Sequence, residues 1–542
     1  MLFLVLVCSC KEPHSDPSST PKNLYDTEQV LEISISINED DWQELQSQSR
    51  HYLDVLGESC NSSPTQRPYT YFPADITIDG ETMSNVGVRK KGFFGSTGDG
   101  APSLKVKFSE YQDQFFHDAK RLTLNNNQGD PSQIKQCLGY DLFSRAGVPA
   151  PRCNFAVVEV NGVSMGTYTN VESIKKRFLE RHFDDNDGNL YEGQLSDFRQ
   201  GWVESFQRKT KVDEGDRSDI DALVPALEVE DTSLLQTIEP LIDLGGFYDF
   251  WAMEILLMHG DGYARNTNNF YIYADPTTGQ FTFIPWGIDV ILAPDRTWSW
   301  EQSPPPGVAW AVGVLARRLY LYEPSQEVFL ERLQTHLDEV LVEDDILDEI
   351  DRMDDLLQPH LSSFSAAEQG LIADSMDEVR DYVATRRDDL QPILDQAPAT
   401  WDEPLRDPWC LTSIGEVSGE FTGTWGGEGQ GVVDLVLHGE NFDDQDVSLV
   451  VDTDEDDVDR VELSFFADDT QWFVEIPLEE MDLDGPLPVD FEIAPGGGSV
   501  SDEIEVRALF GGGTLHFDEA GFSRGSTIIG SFAGSLYPYL DE

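Results

Sequence analysis

The sequence predicts an α+β fold with strands leading and helices gathered toward the C-terminal side, followed by a separate all-β, sandwich-like domain. Three observations predict it. Short runs that alternate apolar and polar residues recur between Leu31 and Val171, as half-buried strands require. Long helical patterns, one of them almost wholly apolar, lie between Leu241 and Leu394. Beyond Pro398–Pro408 the helical period disappears, and Gly clusters at Gly426–Gly431, Gly496–Gly498 and Gly511–Gly513 punctuate short alternating strands.

In chain order, Leu2–Val7 is a short apolar run ending in Val7-Cys8-Ser9-Cys10. That is the pattern of a bacterial lipoprotein signal, in which Cys10 is lipidated and becomes the first mature residue. The polar stretch after it is too rich in Ser, Pro, Asp and Lys to bury and reads as a tether. Order is expected near Val30: Leu31–Ile37 alternates as a strand, and Asp40–Leu45 follows as a short helix behind an acidic cap. Cys60–Pro68 reads as a loop, and strand signals return at Ala74–Ile78, Val86–Arg89 and Leu104–Phe108. A helical period fills Ser132–Ala146. Phe155–Val160 then turns through Asn161-Gly162 into Ser164–Val171, because Asn-Gly accepts the positive backbone angles of a two-residue hairpin. Leu241–His259, long, apolar and free of Pro, reads as a buried helix. The strands Phe270–Tyr273 and Phe281–Ile284 flank an Asp-Pro-Thr-Thr-Gly turn, and acidic helical patterns fill Ser325–Leu357 and Ala366–Leu394. The division is thus a signal at 1–10, a tether at 11–29, a first domain at 30–397, a linker at 398–413 and a β-rich domain at 414–542.

Charge narrows the partners. The 542 residues hold 36 Lys and Arg against 101 Asp and Glu, a formal net charge of −65 that repels nucleic-acid phosphates and anionic headgroups. Nucleic acid is excluded as a partner, and contact with a membrane is expected only through a lipid anchor, because no segment has the apolar length of a membrane helix. The expected location is that of an exported bacterial lipoprotein, periplasmic or on the cell surface. Cys60, Cys137, Cys153 and Cys410 remain in the mature chain and allow two disulfides, with no Cys-x-x-Cys pair to suggest zinc. Asp184–Asn189 resembles a calcium loop, but counting back from Gly188 places Phe183 at the first ligand position, and the motif fails. Asp452–Asp459 lacks any Gly and reads as a solvated turn.

Three segments carry candidate chemistry. In His259-Gly260-Asp261-Gly262-Tyr263-Ala264-Arg265-Asn266-Thr267-Asn268-Asn269, Asp261 and Asn266 stand at the Asp-x-x-x-x-Asn spacing of phosphoryl-transfer loops. There a carboxylate orients the acceptor hydroxyl and an amide oxygen helps to hold a metal. In Phe281-Thr282-Phe283-Ile284-Pro285-Trp286-Gly287-Ile288-Asp289, an apolar strand runs to a carboxylate, which calls for a metal or an ion pair with Arg265 or Arg296. Between Arg89 and Arg121 the chain turns basic, and Gly92, Gly95, Gly98 and Gly100 precede a strand on which Lys105 and Lys107 face away from Leu104, Val106 and Phe108. A flexible loop followed by a strand lysine is one way to cover and grip phosphates.

These segments, in this order, resemble the spore coat protein H (CotH) kinase family. Gly87-Val88-Arg89-Lys90-Lys91-Gly92, Ser103-Leu104-Lys105-Val106-Lys107-Phe108, Arg121-Leu122-Thr123-Leu124-Asn125-Asn126 and Ala146-Gly147-Val148-Pro149-Ala150-Pro151 open the resemblance. The hairpin from Asn161-Gly162 to Gly166-Thr167-Tyr168, Asn189-Leu190-Tyr191 and the Asp261–Asp289 block complete it, over roughly Val30 to Leu394. The resemblance implies an atypical protein-kinase-like domain with a helical C-terminal part, using ATP with Mg²⁺ or Mn²⁺ to phosphorylate Ser or Thr of an exported protein acceptor. It makes Asp261 the catalytic carboxylate, Asp289 a metal ligand, and Asn266, then Asn269, the metal-binding amides. Lys105, Lys107 and Arg89 would contact the nucleotide phosphates, and Glu172 would border the adenine.

Two positions depart from the family pattern. Gly287 stands where members often have a second Asp, and Ala101 where many carry a Lys. The competing expectation is therefore a catalytically silent, kinase-like surface lipoprotein that acts in adhesion or envelope scaffolding. The sequence leaves the oligomeric state open.

Overall fold

The computed structural model describes residues 23–93, 100–293, 310–399, 405–453, 459–467, 470–478, 488–493, 496–521 and 524–539. Cys10, the tether up to residue 22, Gly95, Gly98 and Arg296 lie outside the described residues. Chain order is present earlier than Val30. Leu24 and Tyr25 are buried, and Asn170 Nδ2 donates to the Leu24 carbonyl at 2.9 Å.

The first unit is a closed barrel of seven strands: β1 (Val30–Ile37), β2 (Phe72–Ile78), β3 (Glu81–Lys90), β4 (Leu104–Lys107), β5 (Arg121–Asn125), β6 (Cys153–Val160) and β7 (Val163–Val171), in the order β1-β2-β3-β4-β5-β7-β6. Its closing pair, β1 with β6, is parallel. Alternation explains the barrel. Leu31, Ile33 and Ile35, Val86 and Val88, Leu104 and Val106, and Leu122 and Leu124 point inward into one core, where each fully buried aliphatic side chain contributes about 1.5–3 kcal/mol. The outward positions of β3, β4 and β5 fall into register rows, Arg89 with Lys105 and Thr123, and Gly87 with Lys107 and Arg121. The hairpin between β6 and β7 turns at Asn161 and Gly162, with φ of 51° and 82°, as the Asn-Gly pair predicts.

The second unit joins a four-stranded sheet to the helices. Strands β8 (Asn189–Gly193), β9 (Gln207–Arg208), β10 (Phe270–Ala274) and β11 (Phe281–Pro285) take the order β11-β10-β8-β9. The expected buried helix is Leu244–Leu256, shorter at both ends than its apolar run. Asp243 caps its start by accepting from Gly246 N, and Met258, at φ 55°, turns the chain out of it. Trp251 stacks on Phe329 with ring centroids 3.6 Å apart, tying it to the helix Glu323–Glu339. The pattern at Ser325–Leu357 divides into that helix and Glu343–Leu357, whereas Ala366–Leu394 is one helix opened by a Ser365/Glu368 capping box. Among the described residues no helix is long and apolar enough to cross a membrane.

The last unit holds β12 (Gly415–Thr424), β13 (Glu428–Leu437), β14 (Glu440–Thr453), β15 (Asp459–Ala467), β16 (Thr470–Pro477), β17 (Val489–Ile493), β18 (Ser499–Asp502), β19 (Val506–Glu519) and β20 (Thr527–Pro538) around one core. The expected sandwich is replaced by a closed ladder, because β20 pairs with β12 on one edge and β19 on the other. Sandwich and barrel share the same in-and-out alternation. Only the long-range pairing of the last strand separates them, and local pattern does not encode it.

The four cysteines form two disulfides. Cys137–Cys153 ties the helix Lys135–Arg145 to the start of β6, and Cys60–Cys410 ties a loop after β1 to the segment entering the last unit.

Candidate active site

The loop after Leu244–Leu256 is shaped by a carboxylate that sequence reasoning passed over. Glu254, fully buried, accepts from Tyr263 N and Ala264 N, both at 2.8 Å, and so caps the one-turn helix Tyr263–Asn266. Its signal in the sequence is a lone acid within the apolar run Phe250–Leu257. Thr267 and Asn269, both at φ 53°, then redirect the chain into β10. The result is a carboxylate enclosed by amides: Asp261 Oδ1 accepts from Asn266 Nδ2 at 2.6 Å and Asn268 Nδ2 at 3.1 Å, and Oδ2 accepts from Asn269 Nδ2 at 2.6 Å. Every nearby amide oxygen must then point away from Asp261.

Asp289 reaches this loop from the end of β11. Its neighbours Ile288 and Ile291 are fully buried against the helix Lys135–Arg145, where a Cβ on Gly139 would come within 2.4 Å of Ile291 Cδ1. Burial pushes the Asp289 carboxyl up, Asp261 pushes it further, and Lys91 and His259 oppose them. Among the described residues Asp289 makes no ion pair. Arg265, one of the two partners considered from sequence, lies instead over Trp310, 4.7 Å from the ring centroid. His259 is almost wholly buried, and both its ring nitrogens lack a hydrogen-bond partner.

A cationic cluster joins the outer face of the barrel to the second unit. Burial, then the neighbouring Arg89, Arg67 and Lys175, hold the Lys105 amine well below its usual range. Burial and Lys209 bring Lys175 down to about 7, and burial brings Lys209 and Lys91 to about 8. One carboxylate anchors the cluster. Glu192 on β8 accepts from Arg67 at 2.9 Å and from the Tyr271 hydroxyl at 2.6 Å, and pairs with Lys209. Against the push of burial, Lys209 and Arg67 hold its carboxyl well below the usual range. Arg67, Lys175, Lys209, Glu192 and Glu254 are absent from the motifs read along the chain because each comes from a separate segment. These cations outnumber the one carboxylate among them, in a chain that is otherwise strongly acidic.

The structure thus gathers Asp261, Asn266 and Asn269, links Asp289 electrostatically to Asp261 and Lys91, and sets Arg89 beside Lys105 on the barrel. Two expected residues are engaged in ion pairs. Lys107 pairs with Glu110, and Glu172 is engaged by Arg152 at 3.0 Å and by Arg181. Among the described residues no three of His, Cys, Asp and Glu stand together as a metal site. An all-oxygen donor set of Asp289 and the neighbouring amides would suit a hard cation such as Mg²⁺, which takes one or two carboxylates plus phosphates.

Gly287 is required by its backbone. It sits at φ 55°, and a Cβ there would come within 2.5 Å of Asn269 Oδ1. Gly287→Asp is therefore expected to displace Asn269 and lower the thermal midpoint, with about 1–2 kcal/mol from the left-handed backbone alone, rather than to supply a working second carboxylate. Thermal unfolding with and without Mn²⁺ checks this.

The near-neutral lysines also set a pH dependence. As pH rises through about 7 to 8, Lys175, Lys209 and Lys91 lose their protons. Phosphate attraction should then weaken severalfold between about pH 6.5 and 9, and binding should take up protons because an anion raises a neighbouring amine's pKa. Calorimetry of ADP binding in buffers of different ionisation enthalpy measures both.

The chain joins mixed helices and strands to a β-rich C-terminal region, and its family match makes it a kinase-like protein. Residues 96–390 match the family model described as CotH kinase protein, and the chain belongs to that family. It is 26% identical over 200 residues to the inner spore coat protein H of Bacillus subtilis, covering 34% of this chain and 54% of that protein. It is 37% identical over 54 residues to an inner spore coat protein H-like protein of the same organism, covering 10% of this chain and 18% of that protein. The chain therefore spans about half the length of the first of these relatives and less of the second. The crystal structure of the Helicobacter pylori proinflammatory kinase CtkA aligns over 53% of this chain and 95% of that one, at 10% identity and a TM-score of 0.26, a likeness too low to carry an argument.

Proposed function

We propose that this chain is an exported atypical protein kinase that transfers the terminal phosphoryl group of ATP to Ser or Thr of envelope or secreted proteins. The observation that carries it is Asp261, held by three side-chain amides and close enough to act on the buried Asp289, to which Lys91 brings a cation. In this reading Asp261 accepts the hydrogen bond of the acceptor hydroxyl and aligns its oxygen with the phosphorus, while Arg89, Lys91 and Lys105 bind the phosphate oxygens. Asp289 and an amide oxygen of the Asn266–Asn269 stretch would hold Mg²⁺ or Mn²⁺, which when bound neutralises charge on the phosphates. The hydroxyl oxygen forms the new bond to phosphorus, the bond to the ADP oxygen breaks, and the hydroxyl proton leaves by way of Asp261.

Export is supported by the two disulfides, which persist in oxidising compartments, and by the lipoprotein-type pattern ending at Cys10. The second reading, a silent kinase-like protein in adhesion or scaffolding, is favoured by Gly287, whose backbone leaves no room for the second acid. Transfer of labelled phosphate from ATP to envelope proteins, with nucleotide-dependent thermal shift measured alongside, separates the two. Neither label nor shift would leave only the silent reading.

A further inference from the structure

A segment beyond the family-matched residues reaches back to the centre. Arg406 donates from Nη1 to Asn266 Oδ1 at 3.0 Å and from Nη2 to Thr267 Oγ1 at 3.0 Å, and Trp409 Nε1 donates to the same Asn266 Oδ1 at 3.1 Å. The segment is fastened at both ends. Arg199 Nη1 donates to the Arg406 carbonyl at 2.8 Å, Cys410 is bonded to Cys60, and Leu411 N donates to Leu56 O at 2.5 Å. The Arg406 guanidinium also lies over the Trp409 ring, 4.3 Å from its centroid.

These contacts decide between the two amides. Asn266 Oδ1 accepts from a guanidinium and an indole, so a divalent cation on that oxygen would sit against a fixed positive charge. Asn269 differs: its Nδ2 is committed to Asp261, which turns Oδ1 toward Gly287 and the chain leading to Asp289.

We propose that Arg406 and Trp409 are positioning residues that fix Asn266 as a brace for Asp261, and that Asn269, not Asn266, supplies the amide oxygen to the metal. The proposal rests on the kinase reading. Its consequence is that a segment outside the family domain, pinned by the Cys60–Cys410 disulfide, forms part of the transfer machinery.

The test compares Asn266→Ala, Asn269→Ala, Arg406→Ala and Trp409→Phe in the full chain. Mn²⁺ binding is measured by electron paramagnetic resonance in the presence of ATP, alongside kcat and thermal midpoint. Asn269→Ala should weaken Mn²⁺ about 10- to 100-fold, whereas Asn266→Ala and Arg406→Ala should change Mn²⁺ affinity less than about threefold and lower kcat about tenfold. Arg406→Ala added to Asn266→Ala should lower kcat no further. Trp409→Phe keeps an aromatic ring beneath Arg406 while removing the N–H donor, so its smaller loss of kcat guards against misfolding of the alanine variants. Equal loss of Mn²⁺ in Asn266→Ala and Asn269→Ala, or full kcat in Arg406→Ala, overturns the proposal alone. Failure of the unaltered protein to bind either Mn²⁺ or ATP overturns the kinase reading and this proposal with it.

Discussion

Asp261→Ala is expected to lower phosphate transfer by roughly 10²- to 10⁴-fold, the usual contribution of a positioned acid–base group, with nucleotide binding retained. The reasoning is geometric. Asp261 accepts from Asn266, Asn268 and Asn269, which fix both of its oxygens and leave it one task, accepting a further hydrogen bond from a hydroxyl. Arg89 and Lys105, proposed to bind phosphate, stand on a different unit, the outer face of the barrel, and do not rest on Asp261. The variant should therefore keep the nucleotide-induced thermal shift while losing label on acceptor proteins. Asp261→Asn is the sharper control. It keeps the volume but presents an amide to three amide donors, so one donor loses its acceptor and the loop should loosen as well. Equal transfer by the intact protein and Asp261→Ala would remove Asp261 from the mechanism.

Much of this centre was legible along the chain, for a physical reason. Asp261, Asn266, Asn269 and Asp289 lie on one loop and the end of the following hairpin, so local spacing already carries their proximity. Arg89 and Lys105 were legible as well, because alternation along β3 and β4 states which side chains leave the core together. Glu192, Arg67, Lys175 and Lys209 meet only through tertiary packing of a loop, two strands and a connection between units, and no window of sequence holds them together. The same limit explains the last domain, whose strands were recognised but whose closure by β20 was not. Cys60 and Cys410 were seen as pairable, yet a separation of 350 residues left their pairing to the fold. Glu172 was legible only as the end of its hairpin; its partners Arg152 and Arg181, which take both its oxygens, come from outside that hairpin.

Glu192→Ala should be the most destabilising single change in the site, by about 3–5 kcal/mol, because removing one partner of a buried pair leaves its cations uncompensated. Glu192 is 5% exposed and serves Arg67, Lys209 and the Tyr271 hydroxyl at once. Its depressed carboxyl also fixes a pH dependence. The stabilisation is fully present above the ordinary glutamate value of 4.5 and is lost as pH falls below it toward the folded-state pKa. Glu192→Gln should accordingly flatten the acid limb of the stability profile while costing less than Ala, since an amide oxygen still accepts from Tyr271. The variant further tests what the cations are for. With Glu192 gone, Arg67, Lys175, Lys209 and Lys105 attract an anion more strongly, so pyrophosphate should raise the melting temperature of Glu192→Ala by more than that of the unaltered protein. A protein whose cluster exists only to pack Glu192 would show no such gain, because its cations would have collapsed onto solvent or other acids. Anion rescue is thus the outcome that distinguishes a phosphate site from a structural ion-pair network.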